Sequence, residues 1–174
     1  MNNTRVSHLA GFAIPAATAA FLIGQWRVGH GQSVPVAGPS QLLLILVIIA
    51  GLLAFAYPIY RYRRSLLALA KAQAKGESTV GMNRPKRLDP FFAVRVLLLA
   101  KATGLALSLY LGWHSGLVML QLSLPVQSSG LWQNLAAAIL NLLGVVVAAI
   151  VERLCRIPGG TDEPPLEGSE ANPA

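Results

Sequence analysis

Residues 41–60, with the sequence QLLLILVIIAGLLAFAYPIY, contain no charged side chain and match the roughly 20 residues that a helix needs to cross a bilayer. Three further stretches have a similar length and apolar character, at residues 6–24, 90–113 and 131–151. Backbone amides find no water in hydrocarbon, so apolar runs of this length must be helical where they cross it. The sequence therefore predicts an all-α membrane protein in which four transmembrane helices form a small helical bundle.

The scarcity of charge supports the same class. Hydrophobic residues make up 54% of the 174 residues and charged residues 12%, about half the ~25% that is usual in a soluble domain. The net charge of +7 comes from basic residues that lie mostly beside the spans, where anionic headgroups attract them. We therefore expect membrane lipids of the anionic inner leaflet as partners, and no nucleic acid.

The basic residues also predict the orientation. Eleven of the fourteen lie on the face that carries the N-terminus, the loop at residues 61–89 and the C-terminus, whereas Arg27 is alone on the other face. By the positive-inside rule both termini are cytoplasmic, in a multi-pass protein of the cell membrane. A transmembrane domain at residues 1–157 then carries a basic cytoplasmic loop. Residues 158–174 form an acidic tail that is expected to be disordered.

The first span has an alternative interpretation. Arg5, the apolar run and the triplet Ala17-Thr18-Ala19 resemble a signal peptide with its cleavage site. The apolar run continues past that triplet to residue 24, which favours an uncleaved span kinked at Pro15. Cleavage remains the alternative.

Basic residues after the second span are expected to contact lipid headgroups. Residues 65–75 are rich in Leu, Ala and Lys, so the second helix is predicted to continue into the cytoplasm. The alternative is that these charges only orient the protein and face solvent. The expected headgroup contacts are Arg61, Arg63, Arg64, Lys71 and Lys75.

The third span carries an unusual charge. Asp89 and Pro90 are typical of a helix start. Lys101 lies about 16 Å further along such a helix, near the middle of a hydrocarbon core. A lysine at that depth costs about 2.5–3.5 kcal/mol, so it should face other helices or water rather than lipid.

The fourth span offers partners for this lysine. If Pro90 lies level with Glu152 in an antiparallel pair, Lys101 lies opposite Asn141. Asn134 is seven residues from Asn141, so both project from one helix face, and Asn134 lies opposite Ser108. The predicted intramembrane polar seam, closed at its cytoplasmic end by the last two residues, consists of Lys101, Ser108, Asn134, Asn141, Arg95 and Glu152.

Small residues at four-residue spacing are predicted to let helices approach closely along this seam. The helix-packing residues are Ala100, Gly104, Ser108 and Gly112 on the third span, with Gly144 and Ala148 on the fourth.

Two alternatives stay open at this point. Lys101 bonded to an asparagine can simply hold two helices together, or it can bind a solute, a lipid headgroup or a proton. The third span can also lie about six residues lower, at residues 102–121, which brings Lys101 to the inner interface and buries His114 centrally.

No pattern indicates catalysis. The histidines His8, His30 and His114 lie in different segments, Cys155 is the only cysteine, and no acidic residue lies within a span. No metal cluster, phosphate-binding loop or nucleophile motif can be recognised. The sequence predicts no metal, no cofactor and no enzymatic activity.

Residues 88–102, LDPFFAVRVLLLAKA, and residues 152–158, ERLCRIP, resemble an actinobacterial family of small integral membrane proteins, the domain of unknown function numbered 3180. The Asp-Pro, Arg and Ala-Lys pattern is the most specific part of the resemblance. The resemblance covers most of the chain and implies an uncharacterised multi-span protein of the cytoplasmic membrane, with no activity to carry over.

These features favour a non-enzymatic accessory or assembly component that packs against itself, as a homo-oligomer, or against another membrane protein. The alternative is a component of a small-solute or lipid-handling transporter in which Lys101 faces an anionic group in the membrane interior.

Overall fold

The computed structural model describes residues 6–75, 90–125 and 130–155 and contains four helices. They are α1 Val6–Gly29, α2 Pro39–Ala74, α3 Pro90–Ser123 and α4 Leu131–Leu154. All four are long and apolar enough to span a membrane, and the described residues contain no strand. The predicted all-α fold with four transmembrane helices is confirmed. The acidic tail and residues 76–89 of the basic loop lie outside the described residues.

All four helices are longer than their predicted spans, and α4 ends at Leu154 instead of residue 151. α1 continues through Pro15 to Gly29, and the proline ring lies on an exposed side of the helix. α2 continues through the basic residues to Ala74, as the Leu, Ala and Lys content of that region predicted. α3 runs on to Ser123. A helix end in this protein therefore does not mark the membrane surface by itself.

α1 ends in a turn that requires a glycine. Gly31 has a φ angle of 71°, in the left-handed region that strains residues with a Cβ atom. Its amide donates to the Val28 carbonyl at 3.0 Å, and the amide of Gln32 donates to the Arg27 carbonyl at 2.9 Å. These two bonds form a Schellman motif, which satisfies carbonyls at the end of α1 and directs the chain towards α2.

The helices alternate in direction around a central α3. α1 and α4 both pack extensively against α3, whereas α2 packs mainly against α4 and touches α3 less. Among the described helices, α1 contacts α3 alone. We call the end that carries the α1–α2 connection the loop end, and the end that carries Arg61, Arg63 and Arg64 the basic end.

Glycines bring α1 into backbone contact with α3. A methyl group placed on Gly112 would collide with the Ala13 carbonyl, and one placed on Gly116 with the Ala17 carbonyl. Since both residue numbers rise together along this contact, α1 and α3 run parallel. Ala17, part of the cleavage-like triplet, thus lies inside a continuous helix that packs closely against α3.

The predicted helix-packing residues are occupied by contacts within the chain. A methyl group on Gly104 would lie 3.3 Å from the Cβ atom of Ala148, and one on Gly144 would collide with the Leu107 side chain. Ala100 is also buried at this contact. A four-residue step advances about 400° around a helix, so the stripe turns by about 40° per step. Its first members therefore face α4, and Gly112 faces α1.

Two separate apolar clusters fill the two ends of the bundle. Near the basic end, α2, α3 and α4 bury a cluster around Leu52, Val96 and Val151. At the loop end, Ala20 of α1 and Leu117 of α3 pack together with the α1–α2 connection. α1 therefore contributes to the loop-end cluster, and three helices build the basic-end cluster.

Candidate polar site between the third and fourth helices

At the basic end, Lys101 forms an ion pair with Glu152, with 3.7 Å between Nζ and Oε1. The Lys101 side chain is 26% exposed and that of Glu152 is 9% exposed. The predicted pair of Lys101 with Asn141 is not formed, because Asn141 donates to its own helix at the Ala137 carbonyl. The predicted pair of Arg95 with Glu152 is not formed either, because Arg95 is exposed and forms no ion pair within the described residues. A carboxylate beside the ammonium offsets part of the cost of holding that charge near hydrocarbon.

The alignment of α3 with α4 explains this change of partner. Lys101 lies level with Glu152 rather than Asn141, so α3 is displaced towards the basic end by about three turns from the predicted alignment. This displacement has the direction of the alternative register at residues 102–121, but His114, which is buried at 2% exposure, lies towards the loop end rather than centrally. The physical reason is that Pro90 begins the helix but does not mark the membrane surface, because α3 extends past the end of α4.

Arg63 closes the end of α4. Its Nη1 atom donates to the Arg153 carbonyl at 3.2 Å and to the Leu154 carbonyl at 3.1 Å. A cation is favoured there because the last carbonyls are unpaired and carry the negative end of the helix dipole. The other residues expected to contact headgroups are exposed, on the α2 extension or, for the last one, directly after it: Arg61, Arg64, Lys71 and Lys75.

Cys155 lies directly after α4 and is buried in the basic-end cluster. Burial raises the pKa of its thiol, and the nearby Arg63 guanidinium opposes that rise. Because the thiolate is the reactive form, the folded protein should protect this cysteine from thiol reagents.

In the middle of the bundle, the predicted seam makes local bonds. Asn141 donates to the Ala137 carbonyl at 2.8 Å, and Ser108 donates to the Leu105 carbonyl at 2.8 Å. Both side chains are buried, but each bonds its own helix. The Oδ1 atom of Asn141 has no partner in the described part of the chain.

At the loop end, Asn134 holds the α1–α2 connection. Its Oδ1 atom accepts from the Ala37 amide at 3.0 Å, and its Nδ2 atom donates to the Pro35 carbonyl at 3.0 Å and to Oε1 of Gln121 at 3.2 Å. The side-chain amide thus pairs with the loop as a peptide group would. The expected partner Ser108 is not part of this arrangement, which we call the Asn134 clamp.

A second polar pair, between the half-buried Gln41 and the buried His114, lies near the clamp. The amide of Gln41 in the first turns of α2 donates to Nε2 of His114 at 3.0 Å. Gln41 and Gln121 were absent from the predicted seam. His114 and Gln121 are seven residues apart, the same spacing as Asn134 and Asn141, so both project from one face of α3, and this spacing is the signal that could have identified them.

Within residues 6–75, 90–125 and 130–155, no group of three or more His, Cys, Asp or Glu side chains comes together in a way that could hold a metal ion.

Comparison with known proteins identifies the family. No curated protein and no solved structure matches this chain. A family model described as a protein of unknown function, DUF3180, matches residues 9–159, a range that contains the whole polar site. This range also contains the LDPFFAVRVLLLAKA stretch that carries the resemblance in the sequence. The chain therefore belongs to the DUF3180 family.

Proposed function

We propose that this protein is a non-enzymatic accessory or assembly component of the cell membrane that associates with a second copy or with another membrane protein. The observation that supports this role is a groove of about 280 Å³ on the outside of the bundle, between α1 and α3. Its lining consists of Ala17, Thr18, Phe21, Ser115, Gly116 and Met119.

The chemistry of this α1–α3 groove suits a transmembrane helix. Thr18 and Ser115 are exposed residues on this surface, and lipid offers their hydroxyl groups no water to bond. Thr18 already donates to the Ile14 carbonyl at 3.1 Å, so its oxygen can still accept a bond from a partner. Small and hydroxyl residues are the usual means by which membrane helices approach each other and bond.

Filling the groove tests the proposal. Thr18→Leu and Ser115→Leu should weaken self-association or partner co-elution from native-lipid nanodiscs, whereas Ala19→Leu should not, because Ala19 is exposed on α1 outside the lining of the groove. Equal association of all three variants and the wild type would overturn the proposal, as would a wild-type protein that elutes alone as a monomer.

The alternative role in transport has less support from the cavities. The space beside Lys101 and Glu152 measures about 20 Å³, enough for roughly one water molecule. A larger crevice of about 380 Å³ lies between α2 and α3, and Lys101 is not among its lining residues. Lys101→Met combined with Glu152→Gln removes both charges together, so no carboxylate is left unpaired. Loss of solute binding by this variant in a folded state would favour the transporter.

We also propose that both termini are cytoplasmic, in the cell membrane of an actinobacterium. The start of α1 and the end of α4 lie at the same end of the bundle, and the excess of basic residues beside them in the sequence supports a cytoplasmic orientation for that end. A reporter fused after Lys75 should be active in the cytoplasm only; activity on the outside would overturn the proposed topology.

A further inference from the structure

We infer that a diester phospholipid of the leaflet at the loop end places one acyl chain in the crevice of about 380 Å³ between α2 and α3. The ester carbonyl of that chain accepts hydrogen bonds from Gln41 and Tyr110. The volume lies at the lower end of the range for small-ligand sites, about 300–1,000 Å³. α2 packs mainly against α4, which leaves this space beside α3. The two helices meet on either side of it, through Gln41 and His114 at the loop end and through Leu52 and Val96 in the basic-end cluster.

The lining of the crevice suits an acyl chain. Ile45 and Leu107, which are 5% and 3% exposed, form its floor, and Leu44, which is 57% exposed, lies at its rim. Ala102 and Ala106 are small, exposed residues one turn apart on α3, so they leave width for a chain. No charged side chain is among the described residues that line the crevice. This surface therefore matches a hydrocarbon chain and not an ion.

Gln41 lies at the depth of the lipid esters. Residues 41–60 carry no charge, and Arg61 follows them. Gln41 is 20 residues from Arg61, about 30 Å along α2, which equals the thickness of the hydrocarbon core. With Arg61 at the headgroups of the basic end, Gln41 reaches the opposite boundary, where esters separate acyl chains from headgroups. From there the crevice runs inwards to Ile48, about 10 Å along α2, in the direction that an acyl chain takes.

Gln41 and Tyr110 supply hydrogen-bond donors without charge. Gln41 uses one amide hydrogen for Nε2 of His114 and keeps a second. The Tyr110 ring stacks on the His114 ring with 6.5 Å between centroids, so both donors lie beside the same ring. Acyl chains offer neither donor an acceptor, whereas an ester carbonyl has two lone pairs and can accept from both. Thr103, at the inner end of the crevice, can bond a carbonyl of its own helix.

The test is native mass spectrometry of the protein released from nanodiscs that contain equal amounts of diester and diether phosphatidylcholine with the same chains. The diether lipid lacks only the carbonyls, so the wild type should retain the diester lipid in preference. Gln41→Leu and Tyr110→Phe should each lower that preference about fivefold, the effect of one net hydrogen bond of about 1 kcal/mol. Ala106→Leu fills the crevice and should reduce the retention of both lipids.

Two variants are matched controls. Gln133→Leu removes an exposed amide in the first turn of α4, outside the crevice, and should leave the preference unchanged. Ala54→Leu enlarges an exposed residue of α2 outside the lining and should leave the retention of both lipids unchanged. Tyr110→Phe keeps the ring that stacks on His114, so it tests the inference even if Gln41→Leu does not fold. Protection of Cys155 from thiol reagents verifies that each variant is folded.

Three results would overturn the inference, which does not depend on the proposed assembly role because the crevice is separate from the α1–α3 groove. The first is equal retention of the two lipids by the wild type. The second is a preference that stays at the wild-type value in Gln41→Leu and Tyr110→Phe, or that falls equally in Gln133→Leu. The third is a loss of dimer in Ala106→Leu with lipid retention unchanged, which would mean that a helix of a second copy occupies the crevice.

Discussion

Asn134 and Asn141 lie two turns apart on the same face of α4, and both side chains are completely buried, yet their environments differ. Asn134, at the loop end, bonds the backbone of the α1–α2 connection and the side chain of Gln121. Asn141, in the middle of the bundle, bonds its own helix and leaves its Oδ1 atom unpartnered among the described residues. The periodicity of a polar residue therefore indicates that it is buried, but not what it stabilises.

The difference follows from where unpaired backbone groups occur. In the middle of the bundle each backbone amide and carbonyl is paired within its helix, so Asn141 finds few groups that need a partner. At the loop end the α1–α2 connection is not helical, and its buried amides and carbonyls must be paired by other means. Asn134 supplies both a donor and an acceptor there, for Pro35 and Ala37. Variants of Asn134 and variants of Asn141 should thus differ greatly in their free energy of unfolding.

Asn134→Leu should have the largest effect. It leaves the Ala37 amide, the Pro35 carbonyl and the Gln121 side chain without this partner, and each buried polar group left unpaired costs about 1–3 kcal/mol. We expect the free energy of unfolding to fall by at least about 2 kcal/mol, from the Ala37 amide and the Pro35 carbonyl alone. Thermal unfolding in detergent can be followed by the reaction of Cys155 with a maleimide, since this thiol is buried in the folded state.

Asn134→Asp is the control for shape, because it keeps the acceptor for Ala37 and removes both donor bonds. It should also destabilise the protein, which would show that hydrogen bonding rather than volume is responsible. If Asn134→Leu unfolds at the wild-type temperature, the clamp does not stabilise the fold.

Gly112→Ala should have the second largest effect on stability, because it pushes α1 away from α3. The added methyl group collides with the Ala13 backbone, and overpacking of this kind costs about 1–3 kcal/mol. α1 has no other described helix to hold it, so its amides should exchange hydrogen faster than those of α4. Gly51→Ala is the matched control on α2, where the methyl group meets nothing within 4 Å. Equal protection of α1 in both variants would contradict the close contact.

The sequence predicted the elements of this fold better than their alignment. Four long apolar runs suffice for four membrane helices, and helix-forming residues predicted the extension of α2 past Arg61. The alignment of α3 with α4 was wrong because the helix start at Pro90 was equated with the membrane surface. That error made Asn141 the expected partner of Lys101. The Asn134 clamp could not be predicted at all, because its main partners are backbone groups, which every residue carries and no side-chain pattern distinguishes.

Gln121→Leu should have a smaller effect than either change above. It removes an acceptor for Asn134, while the bonds of Asn134 to the loop backbone remain, so we expect a loss of about 1 kcal/mol. Combining it with Asn134→Leu gives a double-mutant cycle for the pair. Gln121→Leu should cost less when residue 134 is already leucine. Strict additivity would show that the two side chains do not act together in the clamp.

Asn141→Leu should have the smallest effect on stability, and it is the counterpart of Asn134→Leu. The Ala137 carbonyl that accepts from the Asn141 side chain already has its helical partner, the backbone amide of residue 141, so the substitution leaves no new group unpaired. It also removes a buried Oδ1 atom without a partner among the described residues, whose burial costs about 1–3 kcal/mol. Leucine has the same number and branching of side-chain heavy atoms as asparagine, and we expect the free energy of unfolding to stay the same or rise. A loss greater than about 1 kcal/mol in the same maleimide assay would mean that Asn141 holds a neighbour as Asn134 does, since one typical net hydrogen bond is worth that much. Burial and spacing on α4 would then have been sufficient to identify a stabilising residue.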